Sequence, residues 1–366
     1  MSGDRHPRPP VAASRAGAGA TAGRGAAAPV TICLALRDGG PYLADQLASI
    51  AAQQGADWRL LVSDDGSGDV GPAMVRGFAR NRPAGQVVLL RGPRRGAARN
   101  FLHLIAQAPP EAPLAFCDQD DLWLPNRLAD GLAVLATAGT GPVIHAGRTV
   151  ICDAGLRPVA PGPARRSAAP GLARALVQAG APGNTMLLSP AAVRLLQRGL
   201  RAAQAAAVPA HDWWAHQLVA GAGGRLIRTP SIAVLYRQHG GNLMGRNDTL
   251  AAARRRAGLL LDGTFGGWLA ANLAALESAA ELLTPASREL VRAVRRALLQ
   301  PGPEAARRLT TLGLRREGHA GTAALLAAAA LGALHPEAHR RRPEAGGRPS
   351  LAPSGTLRPR LATTGG

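Results

Sequence analysis

The residues best suited to chemistry lie in the segment Asp118-Gln119-Asp120-Asp121, where three carboxylates fall within four positions. The apolar run 114–117 precedes this segment, and Pro125 follows it at a predicted helix start. Crowded carboxylates oppose one another's ionisation, and a hard divalent cation such as Mg²⁺ or Mn²⁺ relieves that repulsion because it prefers oxygen ligands. The segment therefore predicts a site for a metal ion and a phosphorylated ligand, with a solvated acidic turn as the alternative.

A second acidic segment, Ser63 to Asp69, has the sequence SDDGSGD and follows a short apolar run. Asp and Gly cluster in many tight turns, so a plain turn is one interpretation. A carboxylate at the end of a strand can also accept the N–H of a pyrimidine base, which orients a nucleotide with its phosphates toward residues 118–121. The basic loop 91–99 adds positive charge that suits such phosphates, although solvated arginines have the same composition.

The segment His211-Asp212-Trp213-Trp214 places one carboxylate beside two large aromatic side chains. A carboxylate flanked by apolar surface gains basicity, which favours Asp212 as a general base. The tryptophan pair is suited to stack on the apolar face of a sugar and form a platform for the acceptor. A helix N-cap at Asp212 and core packing of at least one tryptophan are the alternatives.

The segment Tyr236 to Asn242, with sequence YRQHGGN, combines an imidazole and a guanidinium with a glycine pair. Its His239 is a candidate metal or phosphate ligand because a metal site is already predicted nearby. A structural histidine is the alternative.

These segments must be positioned by an alternation of short apolar runs and amphipathic stretches. Four runs read as buried strands separated by helices: Val30 to Leu36, Arg59 to Val62, Val87 to Leu90 and Leu114 to Cys117. This alternation predicts a parallel sheet with helices on both faces, in which the loops after the second and fourth strands open at the same edge. Later in the chain we expect three further strands, at Val143 to Ile151, Thr185 to Leu188 and Ile232 to Tyr236. We also expect three helices there, at Leu172 to Gln178, Pro190 to Ala205 and His211 to Val219. The stretch 248–335 predicts helices.

The composition of this 366-residue chain limits the classes of partner and site that it is expected to have. The net charge of +20 and the pI of about 11.7 favour acidic partners such as nucleotides, nucleic acid or an anionic membrane. The three cysteines are odd in number and lack metal-type spacing, which argues against disulfides and a zinc site. Residues 1–29 lack the apolar core of a signal peptide, and no apolar run reaches membrane-spanning length, so we expect a cytoplasmic protein.

Taken in order, the segments SDDGSGD, FCDQDDLWLPNRL, HDWW and YRQHGGN resemble those of bacterial family 2 glycosyltransferases with the GT-A fold, and most of all the rhamnosyltransferase-like subgroup. The resemblance covers residues 30–245 and, more loosely, the helical stretch that follows. It implies an α/β fold with a Rossmann-like, mostly parallel sheet and a C-terminal helical extension. The implied division is a disordered segment 1–28, a glycosyltransferase domain 29–245, a helical extension 246–338 and a disordered tail 339–366.

The resemblance also implies a role for each matching residue. The implied sites are a catalytic base at Asp212; nucleotide contacts at Asp64, Asp65, Arg37 and Asp38; metal ligands at Asp118, Asp120 and His239; and substrate contacts at Asp121, Trp213, Trp214 and Arg237. Arg237 is expected to lie over the donor pyrophosphate. One departure affects the nucleotide site, because Arg37-Asp38 replaces the Tyr-Asn pair usual in the family. An arginine plane can stack on a base as the tyrosine does.

The implied activity is an inverting transfer, dependent on Mg²⁺ or Mn²⁺, from a nucleoside-diphosphate sugar to a hydroxyl of a cell-surface polysaccharide or glycolipid. The expected donor is dTDP-rhamnose or a UDP-sugar, and nucleic acid is not an expected partner. Arg254-Arg255-Arg256 favours peripheral contact with anionic lipid at the inner face of the cell membrane, with a solvated basic face as the alternative. A sugar nucleotidyltransferase on a similar sheet and a non-catalytic nucleic-acid-binding protein are the competing functions.

Overall fold

The computed structural model describes residues 28–162, 171–240 and 250–338, with the side chains of the last range described from 254 onward. The segments expected to be disordered, 1–28 and 339–366, lie outside the described residues except for Ala28. The expected domain boundary at 245 also lies outside them, and so do Gly241 and Asn242 of the YRQHGGN segment.

The first half of the sheet is parallel, as the alternation of apolar runs predicts. Its strands lie in the order β3-β2-β1-β4, with every neighbouring pair parallel. The strands are β1 (Val30–Leu36), β2 (Trp58–Asp64), β3 (Val87–Arg91) and β4 (Leu114–Cys117), and the connecting helices are α1 (Gly40–Ala51), α2 (Gly71–Arg80) and α3 (Ala97–Gln107). The loops that follow β1, β2 and β4 therefore emerge at one edge of the sheet.

The second half of the sheet is mixed. The described strands continue in the order β4-β8-β6-β9-β5, and β7 pairs with β6. They are β5 (Leu122–Trp123), β6 (Val143–Cys152), β7 (Pro158–Pro161), β8 (Met186–Leu188) and β9 (Arg225–Arg237). Strand β8 runs antiparallel to both of its neighbours, whereas β6 and β9 are parallel to each other. The expected strand 232–236 is thus only the end of a longer strand, and Thr185 belongs to a 3₁₀ turn that precedes β8.

Helices cover the sheet and continue beyond it. Those after β4 are α4 (Arg127–Thr137), α5 (Leu172–Val177), α6 (Pro190–Ala205), α7 (His211–Gly221), α8 (Leu250–Leu261), α9 (Thr264–Ser278), α10 (Pro285–Leu298), α11 (Gly302–Thr311) and α12 (His319–Ala330). Helix α6 begins where sequence predicts, because the Ser189 hydroxyl accepts the N–H of Ala192 and Pro190 occupies the first turn.

Two apolar clusters form the core, one on each face of the sheet. Alternate residues of β1 face opposite clusters, with Ile32 and Leu34 on one side and Cys33 on the other. The larger cluster runs from α3 through α5, α6 and α7 into the C-terminal helices α9 to α12. The sheet and the C-terminal helices therefore share one continuous core. The predicted α/β class with a C-terminal helical extension is confirmed.

Within the described ranges, no single helix is long and apolar enough to cross a membrane. The bent pair formed by 254–261 and 264–278 passes that test only when its two parts are joined, and they meet at 64°.

Candidate functional site

The loops after β1, β2 and β4 interlock at one edge of the sheet. The side chain of Gln119 accepts the backbone N–H of Arg37 at 2.8 Å and donates to the Arg37 carbonyl at 2.9 Å. The backbone N–H of Asp38 donates to the Ser67 hydroxyl at 3.0 Å, and the Asp38 carboxylate accepts the N–H of Gly68 at 2.8 Å. These contacts hold Asp38 at a positive φ of 49°, which Asp tolerates better than most residues. The predicted convergence of the loops is therefore observed.

The two carboxylates of the loop after β2 both bind backbone N–H groups. Asp64 accepts the N–H of Ser67 at 2.8 Å and closes the turn. Asp65 is buried and accepts the N–H groups of Gly96 at 2.7 Å and Arg95 at 3.3 Å, which ties this loop to the one before α3. Both residues lie at the predicted edge, and their contact with a nucleotide base stays a prediction.

The acidic segment and the HDWW segment meet in space. Burial raises the pKa of Asp118 above its usual range, and the nearby carboxylates of Asp120 and Asp212 raise it further. Arg127 opposes this effect on the same pKa. The candidate base is therefore close enough to the candidate metal ligands for their charges to interact, although about 90 residues of sequence separate them.

His239 follows β9 and reaches the same place. Its Nε2 lies 2.8 Å from an Asp120 carboxylate oxygen, and its ring lies 4.4 Å from that of Tyr42 on α1. Tyr42 was not singled out from sequence, because its helical spacing alone indicates packing.

The donor set suits a divalent cation in its chemistry. Asp118 and Asp120 bring carboxylate oxygens together in a partly buried place. Burial first, and the neighbouring carboxylates second, raise the pKa of Asp118. Among the described residues, however, no group of three or more His, Cys, Asp or Glu side chains is arranged to hold a metal ion. His239 binds Asp120 here and does not complete such a group.

Asp121 binds other parts of the protein through its side chain. Its side chain is fully buried and accepts from the Asn184 side chain at 2.5 Å and from the backbone N–H of Arg237 at 3.1 Å. Burial, with Asp118 and Asp120 nearby, raises the pKa of Asp121. Both carboxylate oxygens hold the 3₁₀ turn and β9 in place here, and the expected substrate contact at Asp121 stays a prediction.

Arg237 also faces the protein and not an open donor site. It is 3% exposed, and its guanidinium donates to the Asp45 carboxylate at 2.6 Å, to the Asp120 carbonyl at 2.8 Å and to the Ala154 carbonyl. The same guanidinium lies 4.7 Å from the centre of the Tyr42 ring. In this structure Arg237 joins α1, the acidic segment and the β6–β7 turn, and its expected contact with the donor pyrophosphate stays a prediction.

The tryptophan pair is part of the core. Trp213 and Trp214 are 6% and 1% exposed. The Trp213 indole donates to the Ala175 carbonyl at 2.7 Å and stacks on Phe265 of α9, with ring centres 5.7 Å apart. The alternative of core packing describes both residues in this structure, and the expected acceptor platform stays a prediction.

Asp212 lies in the first turn of α7, where Ala210 is the N-cap residue. Its two carboxylate oxygens accept the N–H of Trp213 at 2.7 Å and the N–H of Gly183 at 2.9 Å. The side chain stays partly exposed. Asp212 is thus held by two backbone donors while it remains accessible to a ligand, and its role as a general base stays a prediction.

Two residues that the sequence reasoning missed support this site. Arg127 is 5% exposed and donates to the carbonyls of Phe116 at 3.3 Å and Asn184 at 2.6 Å, so it joins the end of β4 to the 3₁₀ turn. Burial lowers the pKa of Arg127 to about 9. Asn184 binds both Arg127 and Asp121. The position of Arg127 at the start of the helix that follows the acidic segment was the one available signal.

Comparisons with known proteins agree with the resemblance. Residues 31–173 match the family model described as glycosyl transferase family 2. No curated protein matches the chain. The solved structure of residues 1–349 of TarS from S. aureus in complex with UDP-GlcNAc is 14% identical, with a TM-score of 0.44 and coverage of 86% of this chain and 92% of that one. The mannosyltransferase PcManGT from Pyrobaculum calidifontis, in complex with GDP-Man and Mn²⁺, is 19% identical, with a TM-score of 0.42 and coverage of 84% and 86%. Neither likeness assigns a role to a residue of this chain.

Proposed function

We propose that the chain performs an inverting transfer from a nucleoside-diphosphate sugar to an acceptor hydroxyl. Residues 31–173 match the glycosyl transferase family 2 model, which identifies the chain as a glycosyltransferase. The sheet and its helices have the GT-A-like arrangement that this family membership implies. The acceptor is a cell-surface polysaccharide or a glycolipid. The donor is dTDP-rhamnose or a UDP-sugar.

The observation that carries the proposal is the meeting of Asp118, Asp120 and Asp212 at the carboxyl edge of the sheet. Asp212 accepts the proton of the acceptor hydroxyl, and its backbone bonds to Trp213 and Gly183 fix the direction of its oxygens. The acceptor oxygen then bonds to the anomeric carbon. The bond from that carbon to the diphosphate breaks on the opposite face, and the electron pair leaves with the diphosphate.

Asp118 and Asp120 are the residues that would hold Mg²⁺ or Mn²⁺, with His239 as a further ligand once it releases Asp120. A bound divalent ion supplies positive charge that stabilises a departing diphosphate. Without such charge, the crowded carboxylates repel a phosphate group.

The nucleotide end of the donor is assigned to the interlocked loops after β1 and β2. Asp64 and Asp65 stand at this edge, and the side chain of Arg37 is half-exposed beside them. Arg37 donates to the Asp65 carbonyl at 3.1 Å, so its guanidinium lies over the loop where a base is expected to stack. Asp38 shapes the same loop through its bonds to 67–68.

The acceptor suggests where the enzyme works. Arg254, Arg255 and Arg256 are exposed on α8, and an anionic membrane surface attracts such a cluster. We place the protein in the cytoplasm, at the inner face of the cell membrane, where a lipid-linked acceptor is accessible.

The test is the melting temperature of the protein with a panel of nucleotides and nucleotide sugars, with and without Mn²⁺ or Mg²⁺. A ligand that binds only the folded state, supplied at about 100 times its Kd, adds about 2.7 kcal/mol of stability. We expect the largest shift with a dTDP or UDP ligand, and only when the metal is present. The absence of a shift with every nucleotide would overturn the proposal.

Two further arms of this test separate the competing functions. Release of pyrophosphate from a nucleoside triphosphate and a sugar phosphate would identify a nucleotidyltransferase. A salt-dependent gel shift with DNA or RNA would identify a nucleic-acid-binding protein, because counterion release makes such binding weaken steeply as salt rises.

A further inference from the structure

Helix α7 carries the candidate base on its first turn, and nearly all of the helix after that turn is buried. Asp212 is partly exposed, whereas residues 213–219 and Gly221 are buried. The position of the carboxylate is therefore set by whatever packs against the buried part of α7. Most of that packing comes from α5, α6 and the sheet, and contacts from beyond residue 245, outside the matched family segment, add to it at specific points.

The first turn of α7 contacts α9 through a stack of three side chains. The Trp213 ring lies on Phe265 at 5.7 Å with an angle of 24° between the planes. The guanidinium of Arg316 lies 5.0 Å from the Phe265 ring centre and donates to the Val177 carbonyl at 3.1 Å. The Trp213 indole donates in turn to Ala175, so the stack is fixed to α5 at both ends.

The far end of α7 is held by the same C-terminal helices. The backbone N–H of Thr284 donates to the Gly221 carbonyl at 3.0 Å. Leu283 packs so tightly on Gly221 that an added Cβ would lie 2.8 Å from it. At Gly199 of α6, an added Cβ would lie 3.1 Å from the Trp214 ring and 3.7 Å from Leu282, so these side chains fill the space there. Contacts from beyond residue 245 therefore reach α7 at both ends.

We propose that Phe265 of the C-terminal helix α9 positions Asp212 for catalysis and that it acts through Trp213. The coupling is direct, because the N–H of Trp213 is one of the two donors that orient the Asp212 carboxylate. A shift of Trp213 into the space left by Phe265 moves that donor and turns the carboxylate away from the acceptor. The donor site formed by the loops after β1, β2 and β4 has no part in this stack. The inference rests on the proposed role of Asp212.

The experiment compares three variants of the full chain. Phe265→Ala removes the stacking ring, and Phe265→Leu keeps apolar volume without an aromatic plane. Leu309→Ala is the matched control, because Leu309 is fully buried in the same core but lies in α11, which packs against α10 and α12. Circular dichroism and thermal melting establish a temperature at which all three are folded, and transfer kinetics and donor Kd are then measured there.

We expect Phe265→Ala to lower kcat about 10- to 100-fold, because a displacement of about 1 Å in a catalytic group has effects of this size. Phe265→Leu should give a smaller loss of kcat. Leu309→Ala should leave kcat near that of the wild type, and the donor Kd should be unchanged in all three variants.

The outcomes separate this inference from the proposed function. Equal kcat in Phe265→Ala and Leu309→Ala would overturn the positioning role, and so would a fall in kcat that is matched by a weaker donor Kd. Should Phe265→Ala fail to fold, the comparison of Phe265→Leu with Leu309→Ala decides in the same way. A wild-type protein that binds no nucleotide sugar would instead overturn the proposed function.

Discussion

Replacement of Arg237 by Met separates the two roles considered for this residue. A ligand of the donor pyrophosphate would contribute to donor affinity and little to stability. In the structure the guanidinium instead joins three parts of the chain through bonds to Asp45, Asp120 and Ala154. We therefore expect Arg237→Met to act first on the free energy of unfolding.

The magnitude follows from these bonds. The carbonyls of Asp120 and Ala154 would each lose a charged donor, at about 1–3 kcal/mol apiece where they stay unpaired. The ion pair with Asp45 contributes only about 0.2–1 kcal/mol, because the Asp45 side chain is 52% exposed and solvent screens it. The sum is a destabilisation of about 2–7 kcal/mol. Methionine still packs on the Tyr42 ring, so steric loss is small.

Urea unfolding followed by circular dichroism measures this change, and Asp45→Asn is the matched control. We expect the control to cost less than about 1 kcal/mol, since it removes one screened charge. The loss of unfolding free energy in the double variant should be smaller than the sum of the two single losses by no more than about 1 kcal/mol, because the two residues share one hydrogen bond. Loss of less than about 1 kcal/mol in Arg237→Met, together with a large loss of donor affinity, would refute the reasoning and restore the pyrophosphate role.

Three further predictions concern the site and its surroundings. Asp212→Asn should lower kcat by about 10²- to 10⁴-fold with donor Kd unchanged, since a general base acts on the acceptor; weaker donor binding in titration calorimetry would contradict this. Asp120→Ala should abolish the Mn²⁺-dependent shift in melting temperature with nucleotide, and an undiminished shift would exclude it as a ligand. Burial lowers the pKa of His145 and of His211 to about 4 in the folded protein. As pH falls, these histidines therefore take up protons in the unfolded state before they do so in the folded state. The free energy of unfolding should decline between about pH 6.5 and pH 4, by up to about 3 kcal/mol per histidine. Urea unfolding at pH 7, 5.5 and 4 tests this, and a His211→Phe variant with the same pH dependence as the wild type would exclude that residue's share.

The parts of the fold predicted from sequence are those specified by local pattern. The apolar run Val30–Leu36 has no stable place other than a buried strand, and Ser189 with Pro190 marks the start of α6 by cap chemistry. Strand β5 was missed because its two residues carry no periodicity. The start of β9 was missed because Arg225 to Arg228 alternates polar and apolar residues only briefly.

The candidate site was predicted where a residue's chemistry and its place in the chain agree. Asp118 and Asp120 follow a strand directly, and the structure brings them close to Asp212. Adjacent residues can nonetheless face different ways, so sequence does not distinguish the accessible Asp120 from the buried Asp121. Arg237 binds an aspartate 192 positions earlier in the chain, and no local pattern indicates such a pairing.

The burial of the two tryptophans could not be predicted either, because it depends on a residue far away in the sequence. Two adjacent aromatics at the start of a helix suit a sugar platform as well as a core, and what decides between them is Phe265, which lies some fifty residues later. Core packing at one site can therefore depend on elements that sequence-local reasoning does not connect to it.

Strand β8 constrains the order in which the sheet can form during synthesis of the chain. It occupies the place between β4 and β6, so while the chain leaves the ribosome the outer edge of β4 stays open until Met186–Leu188 has been made. An open edge next to buried apolar strands invites pairing with another chain. The acidic segment at the end of β4 thus spends part of synthesis beside an unprotected edge, and we expect a nascent chain that stalls before β8 to aggregate more readily than the completed chain.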